Sequence, residues 1–274
     1  MMTVSDFITR FEAGLTSMTG QPWPEARERY DALCQSFAPP DPPGMHITDA
    51  RLRGVGVRRF LPAEARSGRV LYVHGGGFTI GSVRSHHGVA ASLAERLGRE
   101  VISVDYRLAP EAGYAEMLAD CIAVANACEP LALVGDSAGG RLVLDLASKL
   151  PTVLPLGLIY PPVDGIDESS LGASAPLLSR EEVFGIAVHC LEALPPDTNA
   201  EPPAQQMEVL AVAHDPLTRP LEATVARWRQ AGANIGYRCA DGMVHGALHA
   251  HARLPEMHNA WQGFCQALKD RLGA

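Results

Sequence analysis

The sequence predicts an α/β fold in which a mostly parallel sheet is covered by helices on both faces. Three observations carry this expectation. Short, largely apolar runs recur at 70–73, 101–104, 131–134, 156–160 and 207–213, as strands buried on both sides require. Helix-length segments with apolar residues three and four apart lie between them. The spacing is that of βα units, whose strands run parallel. A chain of 274 residues, 47% of them apolar, can bury the core of one large domain.

In chain order, residues 1–45 read as one or two short helices. They end in the connector Ala38-Pro39-Pro40-Asp41-Pro42-Pro43-Gly44, where the prolines forbid a helix. From 46 to 62, Ile47, Leu52, Val55, Val57 and Phe60 alternate with polar residues, the pattern of a hairpin at a sheet edge. A strand at 70–73 follows, then a helix over 84–98 with Val89, Leu93 and Leu97 at four-residue spacing. Next come a strand at 101–104, a helix over 114–128 carrying Met117, Leu118, Cys121, Ile122 and Val124, and a strand at 131–134. A helix over 137–150 and a strand at 156–160 complete this half. The alternation breaks at Pro161-Pro162 and resumes with a strand at 207–213, a helix over 219–231 and a strand at 234–240. The last helix, 254–271, carries Leu254, Met257, Trp261, Phe264 and Leu268 on one face. Residues 163–205 are thus an insertion. With residues 1–45 they are expected to form a small helical cap over the carboxyl ends of the strands, where open α/β sheets bind ligands. The whole chain, 1–274, is expected to be a single domain.

The stretch Leu131 to Gly140 carries the chemistry. A buried-type strand runs into Gly135-Asp136-Ser137-Ala138-Gly139, and an apolar helical pattern follows. Gly-x-Ser-x-Gly in that context makes a turn so tight that the serine side chain projects above the sheet. Residues two before and two after it must be small, which Gly135 and Gly139 are. Ala138 lends its N–H to a developing oxyanion, toward which the helix also points its positive end. A serine hydroxyl is a weak nucleophile and needs a base. In this architecture the acid comes next in the chain and the histidine last. Asp215 follows the strand after the insertion, and His245 follows the last strand, 30 residues further on. Read blandly, Asp215 caps the next helix and His245 is a polar loop residue. His249, His251 and His258 are spaced as solvent-facing neighbours, without the acidic or thiol partners of a metal motif. The glycines of His74-Gly75-Gly76-Gly77-Phe78, just past the first buried strand, let backbone N–H groups approach a substrate oxygen. They do not fit a dinucleotide fingerprint, because Ile80 stands where its third glycine belongs.

HGGGF at 74–78, VDYRLAPE at 104–111, GDSAGG at 135–140, DPL at 215–217 and VHG at 244–246 together resemble the hormone-sensitive-lipase-like family of α/β-hydrolase esterases. The likeness runs from about 46 to 271. It implies an α/β-hydrolase fold and a serine carboxylesterase with an N-terminal cap. Ser137 would be the nucleophile, His245 the base and Asp215 the orienting acid. Gly76, Gly77 and Ala138 would form the oxyanion hole. The substrate implied is a small-molecule carboxylic ester with a short acyl chain, and no cofactor or metal is implied. Arg141, Ala247 and the run Ala112-Gly113-Tyr114 depart from the family pattern at or near the pocket, so acyl preference does not carry over directly. An amide or formamide hydrolase, an acyltransferase, or a non-catalytic small-molecule binder are the competing readings.

A net charge of −8 without any basic run excludes nucleic acid or an acidic membrane surface as the main partner. No apolar run approaches the ~18 residues of a membrane span, and the first residues lack the pattern of a secretory leader. A cytoplasmic location is therefore expected, and the six cysteines are expected to be buried free thiols. A homodimer stands open beside a monomer.

Overall fold

The computed structural model describes residues 2–163, 166–187 and 201–273. Helices α1 (Val4–Thr16) and α2 (Trp23–Gln35) open the chain. Thr3 caps α1 reciprocally: its hydroxyl accepts from the Asp6 N–H at 3.1 Å, and Asp6 accepts from the Thr3 N–H at 3.2 Å. Thirteen residues make a marginal helix in water. Packing holds α1, because Phe7 and Phe11 are buried against Phe37 and Tyr30, at roughly 2 kcal/mol per fully buried side chain.

The hairpin β1 (His46–Leu52) and β2 (Val55–Leu61) lies at one sheet edge, as its alternation requires. Strand β3 (Arg66–Val73) leads to α3 (His87–Leu97) and β4 (Arg99–Asp105). Helix α4 (Tyr114–Cys128), strand β5 (Ala132–Asp136), helix α5 (Ala138–Ala147) and strand β6 (Leu156–Ile159) follow. After the insertion, which contributes α6 (Arg180–Ala187), come β7 (Gln206–His214), α7 (Thr218–Gln230), β8 (Asn234–Val244) and α8 (Pro255–Arg271). The eight strands form one sheet in the order β1-β2-β4-β3-β5-β6-β7-β8. Strands β4 to β8 and β3 pair in parallel, and β2 pairs antiparallel with both β1 and β4. This is an α/β-hydrolase arrangement.

Each sheet face buries its own core. Apolar residues of α4, α5 and α7, among them Met117, Leu142 and Val225, cover one face. Helices α3 and α8 cover the other with Leu93, Trp261 and Phe264, and α1 and α2 add Phe7 and Tyr30 there. The parallel strands put the loops after β3, β5, β7 and β8 at one edge of the sheet.

Several boundaries differ from the sequence reading. Strand β3 starts at Arg66, before its apolar run, because pairing extends past the buried part. Strand β8 runs on to Val244 through an irregular pairing with β7, which brings His245 directly to the sheet edge. Of the insertion, 164–165 and 188–200 lie outside the described residues. Cys190 lies there too. Cys34, Cys121, Cys128 and Cys265 are buried free thiols, but Cys239 is exposed, because it lies on the outer edge strand β8. Among the described residues, no helix is long and apolar enough to cross a membrane.

The turn after β5 shows why its motif needs glycine. A Cβ on Gly139 would lie 2.1 Å from the Val73 carbonyl oxygen and 2.4 Å from that of His74. A Cβ on Gly135 would lie 2.6 Å from the Gly139 oxygen. These neighbours are backbone and cannot yield cheaply. Gly139→Ala is therefore expected to destabilise the fold by about 3 kcal/mol or more, read as the shift of a urea unfolding midpoint. A change below about 0.5 kcal/mol would contradict this packing.

Candidate active site

Ser137 joins β5 to α5 with φ 49° and ψ −123°, a strained conformation for a residue with a side chain. The turn lifts the hydroxyl above the sheet. Ser137 Oγ lies 2.9 Å from His245 Nε2. His245 Nδ1 lies 2.7 Å from Asp215 Oδ2. The other Asp215 oxygen accepts the Leu217 N–H at 2.8 Å, which fixes the carboxylate at the start of α7. Asp215 is buried while His245 is partly open to the cavity. The Tyr160 ring supports the imidazole at 4.5 Å between centroids. The structure thus brings together three side chains that lie up to 108 positions apart.

The glycine loop follows β3 on the opposite side of Ser137 from β6. Gly76 and Gly77 have φ of 116° and 58°, conformations that suit glycine. Gly75 differs from them: its N–H donates to Asp136 Oδ1 at 3.1 Å. That spends the Gly75 amide on the protein itself, whereas Gly76, Gly77 and Ala138 line the cavity beside Ser137. Helix α2 steadies the same loop, since Arg27 donates to the carbonyls of Thr79 at 2.9 Å and Ala109 at 2.8 Å.

Asp136, next to Ser137, was legible only as part of the motif. It anchors a buried polar cluster. The Tyr72 hydroxyl donates to its Oδ1 at 2.5 Å, and His86 Nε2 lies 3.2 Å from its Oδ2. Burial alone would raise its pKa. The charge and hydrogen bond of His86 and the Tyr72 hydroxyl outweigh that and hold the carboxyl well below the usual range. His86 packs against His74 and His249 at 5.4 and 4.5 Å between ring centroids. No spacing in the sequence marks His86 as a partner of Asp136.

His249 and His251, expected to face solvent, are instead buried. His249 sits on a 3-10 turn, Ala247–Ala250, and His251 follows it directly; the turn's apolar residues join the core beneath α1, α3 and α8. His249 Nε2 lies 3.3 Å from the Tyr30 hydroxyl of α2. Burial, and then the neighbouring His86, pushes the His249 pKa well down. Among the described residues, no group of three or more His, Cys, Asp and Glu side chains converges to hold a metal ion.

These buried histidines make stability pH-dependent. Burial lowers the pKa of His74 from 6.5 to about 3, and that of His251 to about 4. The unfolded chain takes up protons near 6.5, but the folded chain does not. The stability is therefore fully present above about pH 6.5 and is lost as the pH falls toward 3. Each pKa unit corresponds to about 1.4 kcal/mol. Urea unfolding is expected to show about 3 kcal/mol or more lost between pH 7 and pH 4.5. Equal stability at both pH values would contradict the buried, neutral state of these rings.

A cavity of about 440 Å³ opens above Ser137. Phe11 and Leu15 of α1, Trp23 and Tyr30 of α2, and Val183 and Ile186 of α6 line it together with Ser137 and His245. This size suits one small ligand.

The family model described as alpha/beta hydrolase fold matches residues 70–249. The chain belongs to this family. An esterase of Acinetobacter venetianus is 34% identical over 139 residues, 47% of this chain and 45% of that protein. A versiconal hemiacetal acetate esterase of Aspergillus parasiticus is 32% identical over 149 residues, 48% of this chain and 47% of that one. The matched stretch spans about half the length of these curated relatives. A crystal structure of an esterase from the bacterial hormone-sensitive lipase family superposes with a TM-score of 0.79 at 25% identity, covering 99% of this chain and 100% of that one. The likeness to hormone-sensitive-lipase-like hydrolases therefore extends over the full described fold.

Proposed function

We propose that this chain is a serine carboxylesterase that cleaves short-chain carboxylic esters through an acyl-enzyme. The observation that carries the reading is the pair of short contacts, Ser137 Oγ to His245 Nε2 at 2.9 Å and His245 Nδ1 to Asp215 at 2.7 Å, at the floor of a cavity. Ser137 attacks the ester carbonyl while His245 takes its proton, and Asp215 holds the imidazole tautomer and stabilises its cation. The carbonyl oxygen, now negative, accepts from the N–H groups of Gly76, Gly77 and Ala138. Such a donor contributes ~10²–10³ in turnover. His245 returns the proton to the departing alcohol. Water, deprotonated by His245, then attacks the acyl carbon and frees Ser137.

Helices α1, α2 and α6 act as the cap, because their side chains roof the cavity. The cavity volume and the acetate ester named in one relative support a small acyl group. The test is a panel of p-nitrophenyl esters from acetate to palmitate, beside p-nitroacetanilide as the matching amide. Rapid cleavage of acetate to butyrate, with slow palmitate and anilide, supports the reading. Preferential anilide cleavage would favour an amidase.

A further inference from the structure

One stretch of the cavity wall is charged. Arg141 lies one helical turn beyond Ser137 on α5, its N–H bonded to the Ser137 carbonyl at 3.1 Å. Its side chain lines the cavity yet is 96% shielded from solvent. Nε and Nη2 hold Asp145 at 3.2 and 2.6 Å in a bidentate pair. The Tyr114 hydroxyl donates to the same carboxylate at 2.6 Å. The Tyr114 ring stands edge-on to Phe78, itself a cavity residue, at 5.6 Å. Arg141 and Phe78 thus face the cavity, and Asp145 and Tyr114 back them from behind.

Where the proton goes decides which half of an ester meets this wall. The leaving alcohol takes its proton from His245, so it lies on the His245 side, near Gly246, Phe11 and Tyr30. The carbonyl oxygen points to Gly76, Gly77 and Ala138. The acyl chain is left the direction of Phe78 and Arg141.

Resting on the esterase reading above, we propose that Arg141, locked to Asp145, sets the length of acyl chain the site accepts. A short acyl group stops before the guanidinium. A longer one must lay methylenes on a paired, buried guanidinium or push it off Asp145 at the cost of that bidentate ion pair. An apolar side chain at 141 would instead offer each added methylene a favourable contact.

The test uses the full chain and p-nitrophenyl esters from acetate to octanoate. Wild type is compared with Arg141→Met and with Arg141→Met/Asp145→Asn, and melting curves report folding. The double variant keeps the test valid if the single one does not fold, since it removes the Asp145 charge together with that of Arg141. The ratio of kcat/KM for hexanoate over acetate is expected to rise at least 10-fold in the variants. Active variants whose ratio stays within twofold of wild type would overturn the role of Arg141 and leave the esterase reading standing. A folded wild type that cleaves none of the esters would overturn both. A wild type that prefers a carboxylate-tipped succinyl ester over butyrate, with the preference lost in Arg141→Met, would also overturn the proposal, because Arg141 would then be an anion anchor.

Discussion

Ser137→Ala is expected to lower kcat for p-nitrophenyl acetate by about 10⁴–10⁶-fold and to leave the melting temperature within a few degrees of wild type. The hydroxyl is the only atom removed. Its one hydrogen bond among the described residues, to His245 Nε2 at 2.9 Å, lies at the partly open floor of the cavity. The strained turn stays, because it is set by backbone contacts between Gly135, Gly139 and the end of β3. Residual turnover within 10-fold of wild type would mean that another group attacks the ester.

Asp215→Asn is expected to cost about 10³–10⁴-fold in kcat with little change in KM. The carboxylate does two things here. One oxygen receives the Leu217 N–H at 2.8 Å and the other faces His245 Nδ1 at 2.7 Å. An amide of the same shape can keep the first bond. It can also present an N–H to the imidazole, which favours the tautomer with its proton on Nε2, facing Ser137. That histidine can no longer accept the serine proton. The loss should shrink at high pH, where hydroxide competes as the base. A pH–rate profile comparing Asp215→Asn with wild type reads this directly, and an unchanged kcat near pH 7 would remove Asp215 from the mechanism.

The strand-turn-helix around Ser137 was legible because steric demands leave marks on sequence. Gly135 and Gly139 are small for a reason that the structure states in ångströms, and the order of Asp215 and His245 follows from the order of strands. Parallel strands buried on both faces show as apolar runs, so β5, β6 and β7 stood out. The supporting cluster did not. His86, His249 and Tyr72 meet around Asp136 from β3, the start of α3 and the turn after β8, and contacts across such distances leave no period. The spacing of His249 and His251 suggested solvent-facing positions. Their burial depends on α1, α2 and α8 folding over a turn whose neighbours, Ala247, Leu248 and Ala250, are apolar. The likeness alone favoured Gly76 and Gly77 over Gly75, and the bond from the Gly75 amide to Asp136 supplies a physical reason.

The activation of Ser137 by His245 is tested most directly by covalent labelling with a fluorophosphonate, read by intact mass and by peptide sequencing in a mass spectrometer. The expected result is one adduct per chain, on Ser137, formed at least 100-fold more slowly in His245→Ala. A folded wild-type chain that stays unlabelled, or one labelled at a different serine, would contradict it.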